Sequence, residues 1–376
     1  MREAAIDLTW VRHKKVGGTE SCVRNLLYGF AELNPKNMKI VLLLSRDNAY
    51  SFEEYRRFEC FELYVCDVES GNQKKRIIWQ NTKLGKLLRE RSISVCLEPI
   101  YSKPFFGMKG IHVITTIHDL QALHYPQYFS KAYAAWMRIS WKNTIATSAT
   151  VIAISNYVKN DIIKNFKVDE KKIQVIYDAV NLNPEECGEI SELSKYGIDA
   201  GRYYYSVSSL LPHKNLKTLV LAIAELKKRK SDALFPLVIS GVGGSSKGEI
   251  EALAKENGIE KEIILTAFVD NAERNLLYKN CRAFVFPSVF EGFGMPPVEA
   301  MALGAPVLTT KCTSLEEVTG GLLNYVNDPL KPQEWADMLE SRLKKPGGEE
   351  IKALMQKYNC REIAGQYEEM FLHYLN

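Results

Sequence analysis

Residues Phe284–Thr310 read FVFPSVFEGFGMPPVEAMALGAPVLTT. The segment AFVFP, closing at Pro287, has the unbroken apolar character of a strand buried on both faces. PPVEAMAL follows as a helix with prolines in its first turn, where a missing N–H costs nothing, and PVLTT returns as a second buried strand. Strand, turn, helix and strand in this order form one βαβ step of a parallel sheet. Gly292 and Gly294 let the turn adopt backbone conformations closed to other residues and let a ligand approach the main chain. Free N–H groups and the positive dipole end of a helix, at the C-terminal edge of such a sheet, suit a phosphate. Glu291 and Glu299 stand on either side of that turn. Carboxylates repel phosphate but accept hydrogen bonds from ribose and sugar hydroxyls; as purely structural residues, Glu299 would answer the helix dipole and Glu291 would be solvated.

Outward from this stretch the same alternation recurs. Strands are predicted at residues 4–8, 40–44, 63–66, 95–98, 112–117, 150–154 and 173–176, with helices at 20–33, 80–90, 131–147 and 155–165. After NLNPEECGEISELSKY (Asn181–Tyr196), polar and acidic with a proline and a glycine, strands are expected at 203–208, 237–240, 263–265, 283–287 and 306–310, with helices at 215–229, 248–257, 271–280 and 296–303. The pattern implies two parallel-sheet, Rossmann-like α/β domains: an N-terminal domain over 1–183, a linker over 184–200, a C-terminal domain over 201–350, and a helix over 351–376 that closes the second domain or crosses back to the first. A length of 376 residues suits two domains.

Composition is that of a soluble globular protein, 46% apolar and 25% charged. The longest aliphatic run, IVLLL at Ile40–Leu44, is far short of a membrane span, and MREAAIDLTW has no apolar signal core, so a cytoplasmic location is expected. Eight scattered cysteines without a C-x-x-C pair suggest reduced thiols and no metal site. Net charge is +4, but the chain up to Val180 carries about +9 and the remainder about −5. Such asymmetry fits one face turned toward an anionic lipid surface, nucleic acid or a phosphorylated substrate, or unequal solvated surfaces. KKRIIWQNTKLGKLLRER (Lys74–Arg91) sets Ile77, Ile78, Leu84, Leu87 and Leu88 against basic residues. It suits a peripheral contact with anionic membrane, or an ordinary domain helix with a solvated face. No nucleic-acid-binding module is recognisable.

E-G-F-G-M-P-P-V-E-A-M-A-L-G-A-P-V, with its flanking strands, resembles the E-x(7)-E signature of the family 4 retaining glycosyltransferases (glycosyl transferases group 1), which have the GT-B fold. That resemblance extends from Gly17 to the last helix and implies two Rossmann-like domains facing each other across a cleft. It implies that Glu299 holds the nucleotide ribose, that Glu291 lies near the donor sugar, and that main-chain N–H groups around Gly292, Phe293, Gly294 and Met295 contact the sugar and its diphosphate. SVSSLLPHKNLKTLV (Ser206–Val220) resembles the family's turn carrying a basic pair for the diphosphate, with Lys214 as the lysine. An arginine usual in that turn is replaced by Ser209 or, in the alternative placement, by His213, which would contribute if protonated.

Gly17 and Gly18 resemble the glycine loop that approaches the donor, although a Gly-Gly pair also makes a plain turn. His118 of TTIHDLQALHYP stands where the family often places a histidine on a donor sugar hydroxyl, and Asp119 suits a loop-orienting role. His124 is a further candidate for the acceptor pocket, and Ser155 reads as a helix N-cap. Asp178-Ala179 replaces the family's usual asparagine-glycine turn, which questions the hinge geometry there. SGVGG (Ser240–Gly244) resembles a glycine turn near the nucleotide, and Ser314 and Leu315 lie where backbone contacts to the nucleotide are expected.

The resemblance therefore implies a metal-independent retaining glycosyltransferase with Lys214, Glu291 and His118 as its catalytic residues. Its donor would be a nucleotide-diphosphate sugar, with no separate cofactor. Its acceptor would be a hydroxyl, with a lipid-diphosphate-linked oligosaccharide favoured by HDLQALHYPQYFS, which looks like members that assemble bacterial surface polysaccharide. A sugar-nucleotide epimerase of the same architecture and a catalytically silent nucleotide-sugar-binding subunit are the alternatives.

Overall fold

A computed structural model describes residues 2–13, 17–242 and 245–376. The chain divides into two compact units, Met1–Asn181 with Gln356–Asn376, and Leu182–Met355. Among the described residues of unit 1, seven strands form one sheet in the order β3-β2-β1-β4-β5-β6-β7. They are β1 (Arg2–Asp7), β2 (Met38–Ser45), β3 (Phe61–Cys66), β4 (Val95–Glu98), β5 (His112–Ile117), β6 (Thr150–Ala153) and β7 (Ile173–Val175). Every neighbouring pair is parallel. β2 reads MKIVLLLS and is buried at all but one position, as a strand covered on both faces must be. Winding starts at β1 and proceeds outward in both directions, so β1 and β4 flank a switch point, where open α/β sheets form a crevice. Ile6 pairs with Leu97, which sets Asp7 at the end of β1 level with Glu98 at the end of β4.

The helices of unit 1 are α1 (Gly18–Leu33), α2 (Gln73–Trp79), α3 (Gly85–Glu90), α4 (Gln121–His124), α5 (Lys131–Thr147) and α6 (Asn156–Phe166), the last capped by Ser155, whose hydroxyl accepts the Val158 N–H at 3.2 Å. α2 begins earlier than the basic periodicity suggests and is joined to α3 through a π turn at Gln80–Leu84. Of the apolar residues that suggested a lipid-facing stripe, Leu84 and Leu88 are fully buried with Trp79 in a core cluster under the sheet, and only Ile78 is well exposed. An α/β-domain helix therefore spends that stripe on its own core.

Six strands make the sheet of unit 2 among its described residues, ordered β10-β9-β8-β11-β12-β13. These are β8 (Tyr204–Val207), β9 (Leu237–Ser240), β10 (Ile263–Leu265), β11 (Ala283–Phe286), β12 (Val307–Thr310) and β13 (Asn324–Val326). All pairs are again parallel, with the switch point between β8 and β11. β13 reads NYV, with no continuous apolar run, and was not legible. The helices are α7 (Leu216–Arg229), α8 (Ser245–Glu256), α9 (Asn271–Asn280), α10 (Met295–Ala302), α11 (Leu315–Val318), α12 (Pro332–Glu340) and α13 (Gly348–Lys357).

Residues 184–200, polar enough to suggest a linker, are ordered on unit 2. Leu193 is buried within a 3-10 turn at Ile190–Tyr196, and the Gly188 N–H donates to Ala272 O at 3.0 Å. The helix expected over 351–376 is instead two, α13 and then α14 (Cys360–Leu375). α14 lies on α1 of unit 1, where Phe371 stacks on Phe30 at 6.0 Å and a Cβ at Gly29 would collide with the Cys360 carbonyl. The Asp178-Ala179 pair needs no left-handed residue: neither has positive φ, and Asn25 Nδ2 donates to Ala179 O at 2.7 Å, tying the segment to α1.

Candidate active site

At the unit 2 switch point the loop after β11 makes the turn that the sequence singled out. Gly294 is the N-cap of α10 with φ 93° and ψ 59°, a left-handed conformation that favours glycine. A Cβ there would also press on Leu315 Cδ2, so that fully buried side chain would have to shift. The Glu291 N–H donates to Thr313 Oγ1 at 2.9 Å, and the Thr313 hydroxyl returns a 2.8 Å hydrogen bond to Glu291 O. Ser314 Oγ lies 3.0 Å from Glu291 O and 3.1 Å from Phe293 O. Ser314 and Leu315 are fully buried, and the Leu315 N–H already donates to Cys312 O. Their place is under the turn, which they pin. Pro296 and Pro297 have no N–H, so the helix mouth offers fewer donors than an ordinary first turn.

Lys214 ends a 3-10 turn, Pro212–Lys214, that is lashed to the same loop. His213 O accepts the Val289 N–H at 2.9 Å, and Asn215, itself left-handed at φ 54°, donates through Nδ2 to Pro329 O at 2.8 Å. Lys214 Nζ thereby reaches Glu291 Oε1 at 2.6 Å. Both side chains are mostly covered, at 20% and 12% exposure, so this pair is not an ordinary surface salt bridge. An ammonium has three N–H donors, and the pair leaves two for another acceptor. His213, the alternative place for the cation, is held away from protonation in this structure. Burial, then the neighbouring Lys214 charge, lowers its pKa to about 4, so near neutral pH the ring is uncharged. Ser209, the other place for an arginine, is exposed.

Glu299 is one turn inside α10 and 7% exposed. Two residues of α9 meet it. The Tyr278 hydroxyl donates to Oε2 at 3.2 Å, and Arg274 Nη1 lies 3.6 Å from Oε1. Burial and the adjacent Glu299 push the Tyr278 phenol well above its usual pKa, keeping it a donor. Burial opposes the Arg274 charge, but Glu299, Tyr278, Tyr205 and Glu186 together outweigh it and raise the guanidinium's pKa. Sequence reasoning missed both residues. Their signal was an i, i+4 pair of polar groups on one helix face. Of the SGVGG turn, Gly241 has φ 87° and packs on the Ser208 backbone; Gly243 and Gly244 lie outside the described residues.

Unit 1 places its own candidates around β5 and α1. Gly17 is the N-cap of α1 with φ 72°, Gly18 is its first residue, and the space a Cβ would enter at either is open. His118, 7% exposed, lies 3.1 Å through Nε2 from Pro99 O and edge-on to Tyr101. Its donor atoms and those of Cys22 and Asp178 fall within 4.8 Å of one another, a spacing that a metal ion could share. Hydrogen bonding already occupies the set. Cys22 Sγ donates to Asp178 Oδ2 at 3.0 Å, and burial raises the pKa of both groups, with Asp178 adding to the thiol's rise. A protonated thiol is a poor metal ligand and a poor nucleophile. Asp119 accepts the Gln121 N–H at 2.8 Å, and His124 pairs with Asp161 at 2.7 Å.

Family models of known proteins match both units: "Glycosyltransferase Family 4" over residues 16–184 and "Glycosyl transferases group 1" over 192–362. The chain is 29% identical over 238 residues to the O-antigen chain mannosyltransferase B of Escherichia coli, covering 61% of this chain and 62% of that protein. It is 29% identical over 227 residues to the O-antigen chain mannosyltransferase RfbU of Salmonella typhimurium, covering 60% and 59%. The matched part thus spans about three fifths of these relatives' length. In three dimensions it is similar to Anabaena Alr3699/HepE solved in complex with UDP, with a TM-score of 0.74, 18% identity, and coverage of 99% of this chain and 100% of that one. Two Rossmann-like parallel sheets, the E-x(7)-E turn at the second switch point and these matches together show that the chain belongs to the family 4 glycosyltransferases of the GT-B fold.

Proposed function

We propose that the protein transfers a hexosyl or deoxyhexosyl group from a nucleotide-diphosphate sugar to a hydroxyl acceptor, with retention at the anomeric carbon and without a catalytic metal ion. The observation that carries this reading is the unit 2 turn, where a left-handed Gly294 packed on Leu315 stands beside a covered Lys214–Glu291 pair. Lys214 and the N–H groups of Phe293, Gly294 and Met295 face the developing negative charge of the departing diphosphate, the largest single contribution available to such a site. Glu299 holds ribose hydroxyls, with Arg274 and Tyr278 fixing its orientation, and Glu291 takes a hydroxyl of the donor sugar while steering Lys214. Gly17, Gly18 and His118 serve the donor from unit 1. Retention proceeds by attack on the face the leaving group departs from, with the donor phosphate accepting the acceptor's proton, so no side chain needs to become a covalent nucleophile.

The relatives' role in O-antigen synthesis supports assembly of bacterial surface polysaccharide, on a lipid-diphosphate-linked acceptor at the cytoplasmic face of a membrane. Among the described residues no helix is long and apolar enough to cross a membrane. Exposed Phe106, near Lys109 in the chain, and exposed Ile139, near Arg138 and Lys142, favour a peripheral contact there over one through Lys74–Arg91.

Incubation with a panel of nucleotide sugars tests the reading. Slow release of nucleoside diphosphate is expected from one donor, whereas an isomerised donor would indicate an epimerase, and binding without turnover a silent subunit. Lys214→Ala should lower turnover about a hundredfold, and Glu299→Ala should mainly weaken donor binding, read as a lost thermal shift with the donor. Wild-type rates and donor affinity in both variants would refute the site.

A further inference from the structure

The unit 1 switch point opens into a cavity of about 390 Å³, lined by the loops after β1, β3 and β4, by the first turn of α1, by α2 and the π turn after it, and by α5. This volume lies within the roughly 300–1,000 Å³ of small-molecule sites. None of the residues assigned above to the donor lines it.

Two features give the cavity its chemistry. The first is a pair of guanidiniums, Arg12 and Arg76, on its wall. Neither makes an ion pair among the described residues. Arg76 gives only a long 3.4 Å hydrogen bond to the neutral Gln80 amide, and its buried Nε has no partner. Ser140, fully buried on the same wall, has an equally unpartnered hydroxyl. Buried donors are normally satisfied, so these mark where a ligand's acceptor atoms belong. The carboxylates behind them do not cancel this preference. Asp7 accepts from the Thr9 N–H and hydroxyl at 2.8 and 2.6 Å and from Gln80 at 2.6 Å. Burial, with Asp7 alongside, raises the pKa of fully buried Glu98 well above the usual carboxylate range, which weakens its hold on Arg76. Lys103 is turned to the Thr147 carbonyl at 2.9 Å and is not counted among the anion ligands.

The second feature is aromatic. Phe105 and Trp136 stand with ring centroids 5.3 Å apart, and Trp10 and Tyr133 complete that side. Rings of this kind offer flat apolar faces beside polar edges, which suits the C–H face of a sugar better than a bare ion.

We infer that this cavity takes the phosphate-bearing end of a sugar, a glycosyl phosphate or diphosphate, with Arg12, Arg76 and Ser140 on the phosphate and the Phe105–Trp136 wall against the ring. The inference rests on the glycosyltransferase reading, in which this ligand is the acceptor. Hexose 1-phosphates, the parent hexoses and inorganic phosphate are titrated against the full chain, without donor, by tryptophan fluorescence and calorimetry. At least one hexose 1-phosphate should bind about tenfold or more tightly than both its parent hexose and phosphate. Arg76→Met and the exposed Arg12→Gln should each remove that margin, and Trp136→Ala should weaken binding and reduce the fluorescence change. Arg12→Gln retains the reading should Arg76→Met fail to fold.

Anionic phosphatidylglycerol vesicles distinguish a soluble ligand from a lipid surface. Vesicle binding that depends on Arg12 and Arg76 and is not competed by hexose 1-phosphate would overturn the inference, as would equal affinity for neutral and phosphorylated sugars across the panel. Donor hydrolysis by the same variants separates the two levels. If hydrolysis persists while the phosphate margin is absent, only the cavity's role fails; if wild-type protein hydrolyses no donor, the transferase reading fails.

Discussion

In unit 2 the loop after β11 is closed on itself: Thr313 and Ser314 hydrogen-bond the turn, Leu315 fills the space beneath Gly294, and Lys214 is already held by Glu291. In unit 1 the loops after β1 and β4 enclose polar atoms that have no partner, at Arg76 and Ser140, and the left-handed Gly17 faces open space. The same sheet topology thus carries two kinds of site. Where the ligand's charge must be met in one geometry, the donors are fixed in advance by buried neighbours. Where buried polar groups stand unsatisfied, a ligand of the proposed kind would complete the structure.

The sharpest way to break this contrast compares its two glycines. Gly294→Ala meets both a left-handed backbone, costing about 1–2 kcal/mol, and a collision with Leu315 that adds about 1–3 kcal/mol of overpacking. Displacing the turn by even an ångström should lower turnover about a hundredfold or more. Gly17→Ala has a conformational cost alone, about 1–3 kcal/mol at its φ 72°, ψ −138°, because nothing among the described residues stands where its Cβ would go. Thermal unfolding of the two variants should show the larger drop for Gly294→Ala, and pairing it with Leu315→Ala should recover part of the loss in Tm. Equal drops, or no recovery, would mean that the unit 2 turn is not braced by Leu315.

A smaller effect separates the members of the ion pair. Lys214→Ala removes the cation and strands a mostly covered carboxylate, whereas Glu291→Gln leaves the ammonium in place and frees it to move. Turnover should fall by about tenfold in Glu291→Gln, an order of magnitude less than in Lys214→Ala. The reverse ranking in kcat would place the essential chemistry on Glu291.

Most of the architecture was legible because continuous apolar strands and longer helices alternate at a fixed spacing. Gly294 was legible as a turn glycine, but not its dependence on Leu315, since that contact spans 21 positions and leaves no local pattern. Arg274 and Tyr278 were hidden for the same reason: DNAERNLLY reads as an ordinary helix, and only packing against Glu299 shows what its polar face meets. The basic helix at Lys74–Arg91 left two readings open, because amphipathicity does not say whether the apolar side meets lipid or the protein's own sheet, and the core cluster favours the sheet. The cavity at Arg12 and Arg76 could not be read at all, since it is made by segments from three loops, three helices and the π turn between α2 and α3.

The smallest of the expected effects concerns His213, and it decides how the unit 2 site manages with one strong cation. Its folded pKa of about 4 lies below the ordinary value near 6.5. The native ring therefore resists a proton that the unfolded chain accepts. Stability from this residue is complete above pH 6.5 and is lost progressively as pH falls from there toward 4, reaching about 1.4 kcal/mol by pH 5.5. Urea unfolding at pH 7.5 and 5.5 should show that difference shrinking by about this amount in His213→Gln. The variant should also keep the wild-type pH profile of kcat between pH 6 and 8, because a neutral ring contributes no charge to the departing diphosphate. An inflection near pH 6.5 in the wild type that vanishes in His213→Gln would instead make the histidine a working cation, and unit 2 would then hold its basic pair after all.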